Sequence, residues 1–548
     1  MKKKFVRVMA LLLAMVMLTA CGNSGGSGEA AVETGKGGSQ SSADDTAAKS
    51  DEEVVVTMGT TTAWESLCPL NRDVDSQVAF MTPVFEQWVT LGTDGSIYPQ
   101  LFKSWTLSED GTTLTAQIDP DAKFHDGVKV KASDVVFTYK LMAHPDFDRT
   151  MKDYTKYLVG TDDTGLCANF DEFGMKALDE ETLEIKVKNP TNELNFFYQF
   201  RITLVLPEHL LGDVDPVGLA TNEFWEKPVG SGPFKFDSYI SGERMEYVAN
   251  DDYHLGRPDF DRLVIRVIPA DNLLSAFMSG EIDITAYGSQ MSINDYDLIK
   301  QDSNFVTYEA PGFANHHIIV NNETIDATVR KALDSAIDKQ SIIDDLMNGY
   351  ARVAISAIVP ENPYRLEGIE GNAYDPEASR QLLKEAGWDG SRSLKIFVSS
   401  SNSVGGNMAV LIQQMLADVG VNTEIETYDM ATVTGHLFKG EFDLAIMSSA
   451  SNPFEPSESS FYFQLVPNGW NRITDQSWMD LYNQGLIGTT IEERRGAYDE
   501  LQQRLVDEVP MIFLFHPDVL FVHSKRLSNI PYENIAIKGW RYWEWEVQ

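Results

Sequence analysis

Residues 393–428 have the sequence SLKIFVSSSNSVGGNMAVLIQQMLADVGVNTEIETY, in which a strand pattern, a helix pattern and a second strand pattern follow one another. Apolar or β-branched residues occupy every second position at 394–398 and again at 421–427, as they do along a strand with one buried face. Between the two strands, apolar residues recur at three- and four-residue spacing over 408–419, and Gly420 stands where a helix commonly ends. A strand–helix–strand unit is typical of a parallel sheet covered by helices, so this stretch predicts an α/β fold.

Further helices are predicted upstream of this unit. Asp375-Pro376-Glu377 combines an N-cap residue, a proline at the first helical position and an acid in the first turn, and Gly387 ends the apolar stripe that follows. Asp326 begins another amphipathic pattern, and Asp338 can cap the helix after it. These segments extend the α/β pattern and carry no chemistry of their own.

One short pattern occurs twice. Residues 277–284, FMSGEIDI, resemble residues 437–444, LFKGEFDL. Each predicts the end of a helix, a terminating glycine and then a strand with a buried Ile or Phe beside an acid. Two such units suggest two α/β lobes built on one plan.

A different arrangement is predicted between Tyr98 and Pro207. Residues 112–118 alternate as a strand, Ser133-Asp134 can cap a helix, and residues 182–187 form another strand. We therefore predict an independent layer, at about residues 90–210, inserted into the first lobe.

The start of the chain predicts export. Four of its first seven residues are basic, and residues 8–18 form an uncharged apolar run that is too short to span a bilayer. The run ends in Leu18-Thr19-Ala20-Cys21, which resembles a bacterial lipoprotein signal, so we expect residues 1–20 to be removed and a lipid to be attached to Cys21. An ordinary secretory signal with a chance cysteine is the alternative.

Composition separates a tether from a large globular body. Residues 21–53 are mostly small, polar or acidic, so a disordered tether that starts at the lipidated cysteine is predicted. The roughly 495 residues that follow are too many for one core of ordinary size. The formal net charge is −38, whereas affinity for nucleic acid comes mainly from Lys and Arg, so no nucleic-acid partner is predicted.

Two cysteines, Cys68 and Cys167, occur in the predicted globular body. In an oxidising compartment they can form a disulfide, but sequence alone does not bring them together in space. Their pairing therefore stays open.

No sequence pattern supports an enzyme, a metal site or a cofactor. Residues 228–234, PVGSGPF, lack the Gly-Lys-Ser/Thr ending of a phosphate loop and predict a structural turn. His316 and His317 are adjacent in a predicted strand and point to opposite faces, so they cannot share one metal ion. His125 precedes a turn at Asp126-Gly127 and is expected to form structural hydrogen bonds. A secreted hydrolase is unsupported.

Several of these segments match a known family in order. The chain from about residue 54 resembles the extracellular solute-binding proteins of the oligopeptide, dipeptide and nickel class, which serve ABC importers. The resemblance is carried by PQLFKSW at 99–105, FHDG at 124–127, ASDVV at 132–136, PVGSGPFKF at 228–236, NDDYH at 250–254, VRKAL at 329–333 and LLKEAGW at 382–388.

The resemblance implies a two-lobed, hinged-trap fold of the periplasmic-binding-protein type II class, with an extra domain in lobe I. Lobe I is expected at 54–310, lobe II at 311–520, and a return to lobe I at 521–548, with crossing strands near 309–320 and 510–522. The implied function is capture of a di- or oligopeptide for an ABC permease by a monomeric protein held at the cell membrane on its extracytoplasmic side. An oligosaccharide, a nickel chelate or a sensory role on the same fold remain alternatives.

The predicted ligand contacts lie on both lobes. Peptide-binding relatives hold the ligand amine with an acid before a proline, which resembles Glu455-Pro456 here, and aromatic and amide groups suit a peptide or a sugar. The arginine with which dipeptide binders hold a ligand carboxylate is replaced near Ser399, which argues against strict dipeptide specificity. The predicted ligand-binding residues are Trp64, Glu65, Phe313, Asn315, Ser449, Asn452, Glu455, Trp470 and Asn471.

Overall fold

The computed structural model describes residues 53–64, 68–70, 77–146, 154–200, 204–456, 467 and 469–548. The predicted signal segment, Cys21, the tether as far as residue 52 and Glu65 lie outside these ranges. None of the helices within the described ranges has the length and the apolar character needed to cross a bilayer.

The strands are β1 (Val55–Thr60), β2 (Val89–Leu91), β3 (Ile97–Pro99), β4 (Phe102–Leu107), β5 (Thr113–Ile118), β6 (Met175–Ala177), β7 (Thr182–Lys186), β8 (Phe234–Ile240), β9 (Arg244–Ala249), β10 (Arg262–Val267), β11 (Ile284–Thr285), β12 (Phe305–Pro311), β13 (Ala314–Val320), β14 (Ala351–Val353), β15 (Ser393–Ser399), β16 (Asn422–Tyr428), β17 (Leu444–Ala450), β18 (Met511–Ser524), β19 (Leu527–Ser528) and β20 (Glu546–Val547).

The α-helices are α1 (Val78–Met81), α2 (Ala132–Met142), α3 (Glu193–Phe200), α4 (Glu208–Leu211), α5 (Leu273–Met278), α6 (Ile293–Ile299), α7 (Ala327–Ala336), α8 (Lys339–Met347), α9 (Pro376–Glu385), α10 (Ser403–Asp418), α11 (Met430–Lys439), α12 (Ser477–Gly485), α13 (Ile491–Glu508) and α14 (Tyr532–Ile535).

One large sheet joins most of these strands. Its order is β16-β15-β17-β13-β18-β11-β1-β10-β9-β8, and β12 and β14 also pair with β18. β10 and β11 run parallel to β1, and β16 and β17 run parallel to β15. We call lobe I the part built on β1, β8–β12 and the second half of β18, and lobe II the part built on β13–β17 and the first half of β18. Parallel strands with helices between them confirm the predicted α/β fold.

Two connections run between the lobes. β12 belongs to lobe I and β13 to lobe II, with Gly312 and Phe313 between them. β18 pairs with β13 through Met511–Phe515 and with β12 through Asp518–Ser524. These are the two stretches for which the family resemblance predicted crossing strands.

The strand–helix–strand unit predicted at 393–428 is present as β15, α10 and β16, and Gly420 has a left-handed φ of 89°. The side chains of Asp326, Asp338 and Asp375 accept backbone N–H bonds at the starts of α7, α8 and α9, as predicted. The predicted cap at Ser133-Asp134 is wrong by two residues: α2 starts at Ala132, and Asp134 instead accepts a bond of 2.8 Å from the backbone N–H of Lys131.

The repeated pattern forms the same corner in both lobes. Asp283, just before β11, accepts the backbone N–H of Thr57 on β1 at 2.8 Å and pairs with Arg526 at 2.9 Å. Asp443, just before β17, accepts the backbone N–H of Lys395 on β15 at 2.9 Å and pairs with Arg392. In each lobe the acid therefore joins the start of one parallel strand to its neighbour, which explains why the pattern occurs twice.

The predicted inserted layer contains a sheet of its own. Its strand order is β4-β5-β7-β6, all antiparallel, and α2 packs against it. The end of the chain also returns to lobe I, because Trp540, Tyr542 and Trp545 are buried in the same hydrophobic cluster as Val56 of β1.

Cys68 and Cys167 are both buried, and no disulfide joins them in the described part of the chain. The pairing of Cys68 with Cys167 that the sequence left open is therefore not formed in the structure. Burial raises the pKa of the Cys167 thiol.

Candidate functional site

The parallel strands of the two lobes end toward each other. β18 passes from lobe II into lobe I, and β11 and β12 run antiparallel to it, so the parallel strands of lobe I end on the side of lobe II. β13 leaves the crossing in the opposite direction, and β17 runs antiparallel to β13, so the parallel strands of lobe II end on the side of lobe I. Ligands of open α/β sheets bind beyond the carboxyl ends of the strands, which makes this region the candidate site.

On the lobe I side, hydroxyl groups follow the end of β1. The hydroxyl of Ser289 lies 3.1 Å from that of Thr60 and accepts the backbone N–H of Thr61 at 3.0 Å. Trp64 lies four residues after β1 and is partly buried, with its ring 5.4 Å from Phe80 and 5.9 Å from Tyr239 between centroids. The structure thus places Trp64 at the predicted lobe, packed against neighbours that fix its orientation.

On the lobe II side, three predicted residues meet where β17 ends. Asn315 is opposite Ser449 in the β13–β17 register, and its amide donates to Ser449 O at 3.3 Å and to Ser451 Oγ at 3.1 Å. The backbone N–H of Ser451 donates to the carbonyl of Phe313 at 2.5 Å. Asn315 has no exposed surface, so its side chain supports the end of β17 from the interior. Phe313 is partly buried and lies in the connection between β12 and β13.

Asn452 organises the loop that follows β17. Its side-chain oxygen accepts the backbone N–H groups of Phe454 at 2.8 Å and Glu455 at 3.1 Å, so the side chain closes a tight turn. Asn362 donates to the Asn452 carbonyl at 3.1 Å. Asn452 is buried and serves the turn, which differs from the predicted direct ligand contact.

The structure corrects the prediction for Glu455. Its carboxylate is buried and forms a bidentate pair with Arg494 of α13, with both N–O distances 2.5 Å. The rings of Tyr364 and Tyr498 flank the guanidinium at 5.2 and 5.5 Å. Burial opposes the charged form of Arg494, but the hydrogen bonds and charge of Glu455 outweigh it and raise the pKa. Because Arg494 supplies the cation, Glu455 does not need a ligand ammonium group.

Trp470 and Asn471 lie at the wrong end of lobe II for the predicted role. The carbonyl of Asn471 accepts the backbone N–H of Asn322 at 3.0 Å, just after β13, and the Trp470 ring packs 6.1 Å from that of Phe438 near the start of β17. Asn322 is seven residues along the chain from Asn315, which corresponds to about 20 Å of strand. The structure therefore does not bring Trp470 and Asn471 to the carboxyl ends of the strands, which corrects their assignment to the cleft.

The adjacent histidines of β13 face different surroundings, as predicted. The His316 ring stacks on Phe515 at 4.7 Å, whereas the Nδ1 atom of His317 lies 2.7 Å from the side-chain oxygen of Asn315. Burial lowers the pKa of His316 to about 4 and that of His317 to about 3. His125 is also structural: its ring lies 3.0 Å from the Gly232 carbonyl. The described residues contain no group of three or more His, Cys, Asp or Glu arranged to hold a metal ion.

Sequence reasoning missed two features of the site. Ser399 and Ser401, whose hydroxyls are 2.9 Å apart, stand at the end of β15, and Ser289 joins the end of β1 from more than 200 residues away. The run Ser399–Ser401 directly after a predicted strand was a usable signal. Ser289 has no comparable signal, because only the fold brings it to β1.

Comparisons with known proteins agree with this architecture. Residues 96–471 match the model of the bacterial extracellular solute-binding proteins, family 5. A Brucella ovis protein named as an ABC transporter peptide-binding protein is 30% identical over 453 residues, which cover 79% of this chain and 81% of that protein. This chain belongs to family 5.

Other family 5 members differ in what their names say they bind. The nickel-binding periplasmic protein of Escherichia coli is 25% identical over 509 residues, which cover 87% of this chain and 92% of that protein. The structure of the oligopeptide-binding protein AppA of Bacillus subtilis, in complex with a nonapeptide, matches with a TM-score of 0.70 and 21% identity, covering 90% of this chain and 99% of that one. The two-lobed family 5 fold is thus confirmed, and the family consists of binding proteins of transporters.

Proposed function

We propose that this protein captures short peptides between its two lobes and delivers them to the permease of an ABC importer. In this proposal lobe I comprises residues 54–310 with the return at 521–548, its inserted subdomain lies at about 90–210, and lobe II comprises 311–520. The protein works as a monomer and releases its ligand unchanged. Closure of the lobes would present the permease with a shape that differs from that of the empty protein.

The observation that carries the proposal is the hydroxyl-rich character of the facing strand ends. Thr61 on lobe I and Ser401 and Ser449 on lobe II keep accessible surface. The buried hydroxyls of Thr60, Ser289 and Ser399 lie beneath them and position the strand ends. Hydroxyls both donate and accept hydrogen bonds, so they suit the alternating N–H and C=O groups of a peptide main chain. Recognition of the main chain accommodates different side chains.

The ion pair between Glu455 and Arg494 bears on which peptides the protein would bind. With its carboxylate paired to Arg494, the loop after β17 does not require a ligand with a free amino terminus. We therefore favour oligopeptides whose main chain is held along its length. We drop Glu455, Trp470 and Asn471 from the proposed contacts, together with the buried Asn315 and Asn452. Trp64, Phe313 and Ser449 remain in the proposed set, together with Glu65, which lies outside the described residues.

Native mass spectrometry of the purified protein tests the proposal, because a closed cleft can retain the ligand of the expressing cell. We expect masses of peptides, and calorimetry should then give equal affinity for such a peptide and its N-acetylated form. Retention of a Ni(II)–histidine complex or an oligosaccharide would identify one of the alternative ligands. Conversion of the peptide by the protein would contradict a binding role.

We further propose that Cys21 is the lipidated amino terminus and that residues 22–53 tether the body to the cell membrane on its extracytoplasmic side. The support is the apolar run that ends in Leu18-Thr19-Ala20-Cys21. Cys21→Ala should abolish incorporation of labelled palmitate and leave the precursor uncleaved. A lipid-free mature protein that starts beyond Cys21 in wild-type cells would exclude the anchor.

A further inference from the structure

The loop after β17 reaches out of lobe II into the core of lobe I. Phe454 is buried in the lobe I hydrophobic cluster, where its ring meets that of Tyr198 on α3 edge-to-face at 5.6 Å. Two residues earlier, the side-chain amide of Asn452 donates to the side-chain oxygen of Asn195, also on α3, at 3.5 Å. One ring and one amide of lobe II are thus buried against one helix of the region predicted as the inserted layer.

A second element of the inserted layer faces lobe II nearby. A methyl group at Gly111, in the turn between β4 and β5, would lie 3.0 Å from the Thr489 side chain, just before α13. The turn is joined to α3, because Thr191 donates its backbone N–H to the Gly111 carbonyl at 3.0 Å and Asn195 donates to the Thr191 hydroxyl at 3.0 Å. Turn and helix therefore form one continuous receiving surface.

The loop that carries Phe454 is fixed within lobe II by hydrogen bonds and an ion pair. Asn452 closes the turn that presents Phe454, and the next residue, Glu455, is fixed to Arg494 of α13. α13 starts two residues after Thr489, so the same helix start supports the loop and meets the inserted layer. A buried aromatic side chain on a braced turn is suited to a contact that forms and breaks as a unit.

We propose that Asn452–Phe454 is a latch that closes lobe II onto the inserted layer of lobe I, with Phe454 as the positioning residue for closure. The proposal rests on the proposed function in that the closed state is the one that holds ligand. When the lobes separate, Phe454 leaves the hydrophobic cluster and its ring is exposed to water, so the latch favours closure. The inserted layer would then help to hold the closed state, because its helix α3 provides the surface that Phe454 and Asn452 contact.

The latch predicts a change in the closed population that can be measured without ligand. Dyes attached at Asp163→Cys in the inserted layer and at Glu385→Cys at the end of α9 report the distance between the inserted layer and lobe II by single-molecule energy transfer. Both positions are exposed and therefore accessible to labelling. Phe454→Ala should lower the ratio of closed to open molecules about tenfold or more, both in ligand-free protein and with a tryptic casein digest as probe. Tyr198→Ala should do the same from the other side of the contact, and the double variant should add little to either change.

Phe438→Ala is the matched control, because Phe438 is exposed, lies on α11 of lobe II and meets Trp470 within the same lobe. It should leave the closed ratio unchanged, and Phe454→Leu, which keeps most of the apolar surface, should fall between wild type and Phe454→Ala. Equal closure of wild type and Phe454→Ala in both conditions overturns the latch while leaving peptide capture intact. A latch-dependent closed state that does not respond to the digest supports the latch and contradicts peptide capture.

Discussion

Glu455 and Arg494 form an ion pair whose side chains are 1% and 5% exposed, so each charge depends on the other. Arg494→Met leaves a buried carboxylate without a cation, and we expect the free energy of unfolding to fall by about 3–5 kcal/mol. Urea unfolding followed by tryptophan fluorescence measures this loss. Arg494→Lys should recover part of it, because lysine keeps the charge but not the two-pronged geometry.

Arg380→Met is the matched control for this substitution. Arg380 pairs with Glu377 on the surface of α9, where the two side chains are 43% and 86% exposed. Its loss should cost less than about 1 kcal/mol. Similar losses for Arg380→Met and Arg494→Met would show that burial does not set the strength of the Glu455 pair.

Two histidines next to the crossing strands make stability depend on pH. Burial lowers the pKa of both His316 and His516 to about 4. The unfolded chain takes up these protons near pH 6.5, but the folded chain does so only near pH 4, so their contribution to stability is complete above pH 6.5 and is lost as the pH falls to 4. The expected loss is about 3 kcal/mol for each histidine.

His316→Gln tests this dependence. Between pH 6.5 and 4, the slope of unfolding free energy against pH should decrease by about one proton relative to wild type. An unchanged slope in His316→Gln would exclude His316 as a source of acid sensitivity.

The effect of replacing a glycine depends on the space around it, which differs between a tight turn and an open position in a helix. A methyl group at Gly230, in the turn before β8, would lie 2.0 Å from the Val84 carbonyl oxygen, so Gly230→Ala must displace backbone and should destabilise the protein by about 1–3 kcal/mol. At Gly435, inside α11, nothing lies within 4 Å, and Gly435→Ala should stabilise the protein by roughly 0.5–1 kcal/mol. Thermal unfolding of the two variants compares them directly, and shifts in the same direction would contradict this assignment.

The elements themselves were predictable because their signals are local. Strand alternation and helical spacing located β15, α10 and β16, and the acid caps at Asp326, Asp338 and Asp375 marked three helix starts. The repeated Gly-Glu-x-Asp pattern correctly indicated two related units. The start of α2 was missed, since Asp134 bonds backward from inside the helix and leaves no pattern at Lys131 that differs from a loop.

The site was less predictable because its contacts are distant in sequence. Arg494 lies 39 residues beyond Glu455, and nothing near either residue indicates the pair. Trp470 was assigned to the cleft because aromatic residues suit ligands, but the direction of β17 puts it at the opposite end of the strand. Phe454 was overlooked for a related reason: its partner, Tyr198, belongs to the other lobe.

The molecule as a whole is built from one continuous lobe and one divided lobe. The strands of lobe II lie between Ala314 and Phe515, whereas lobe I needs Arg526 at the Asp283 corner and Trp540, Tyr542 and Trp545 in its core. A chain that ends after Lys525 should therefore lose amide protection in β1, β10 and β11 but keep it in β15–β17. Hydrogen exchange with mass spectrometry makes the comparison, and Arg526→Met should give a smaller loss confined to the Asp283 corner. Loss of protection in both lobes together would contradict separate folding.

This divided arrangement sets an order of events during biosynthesis. Polypeptide emerges with its amino end first, and domains generally fold as units as they become available. Lobe II has all its strands once Phe515 has been synthesised. β1 is synthesised some 480 residues before Trp540, so it cannot complete its packing until the end of the chain is available. We therefore expect a nascent chain to fold lobe II first, and to form the ligand-binding cleft only after Trp540, Tyr542 and Trp545 have been synthesised and packed into lobe I.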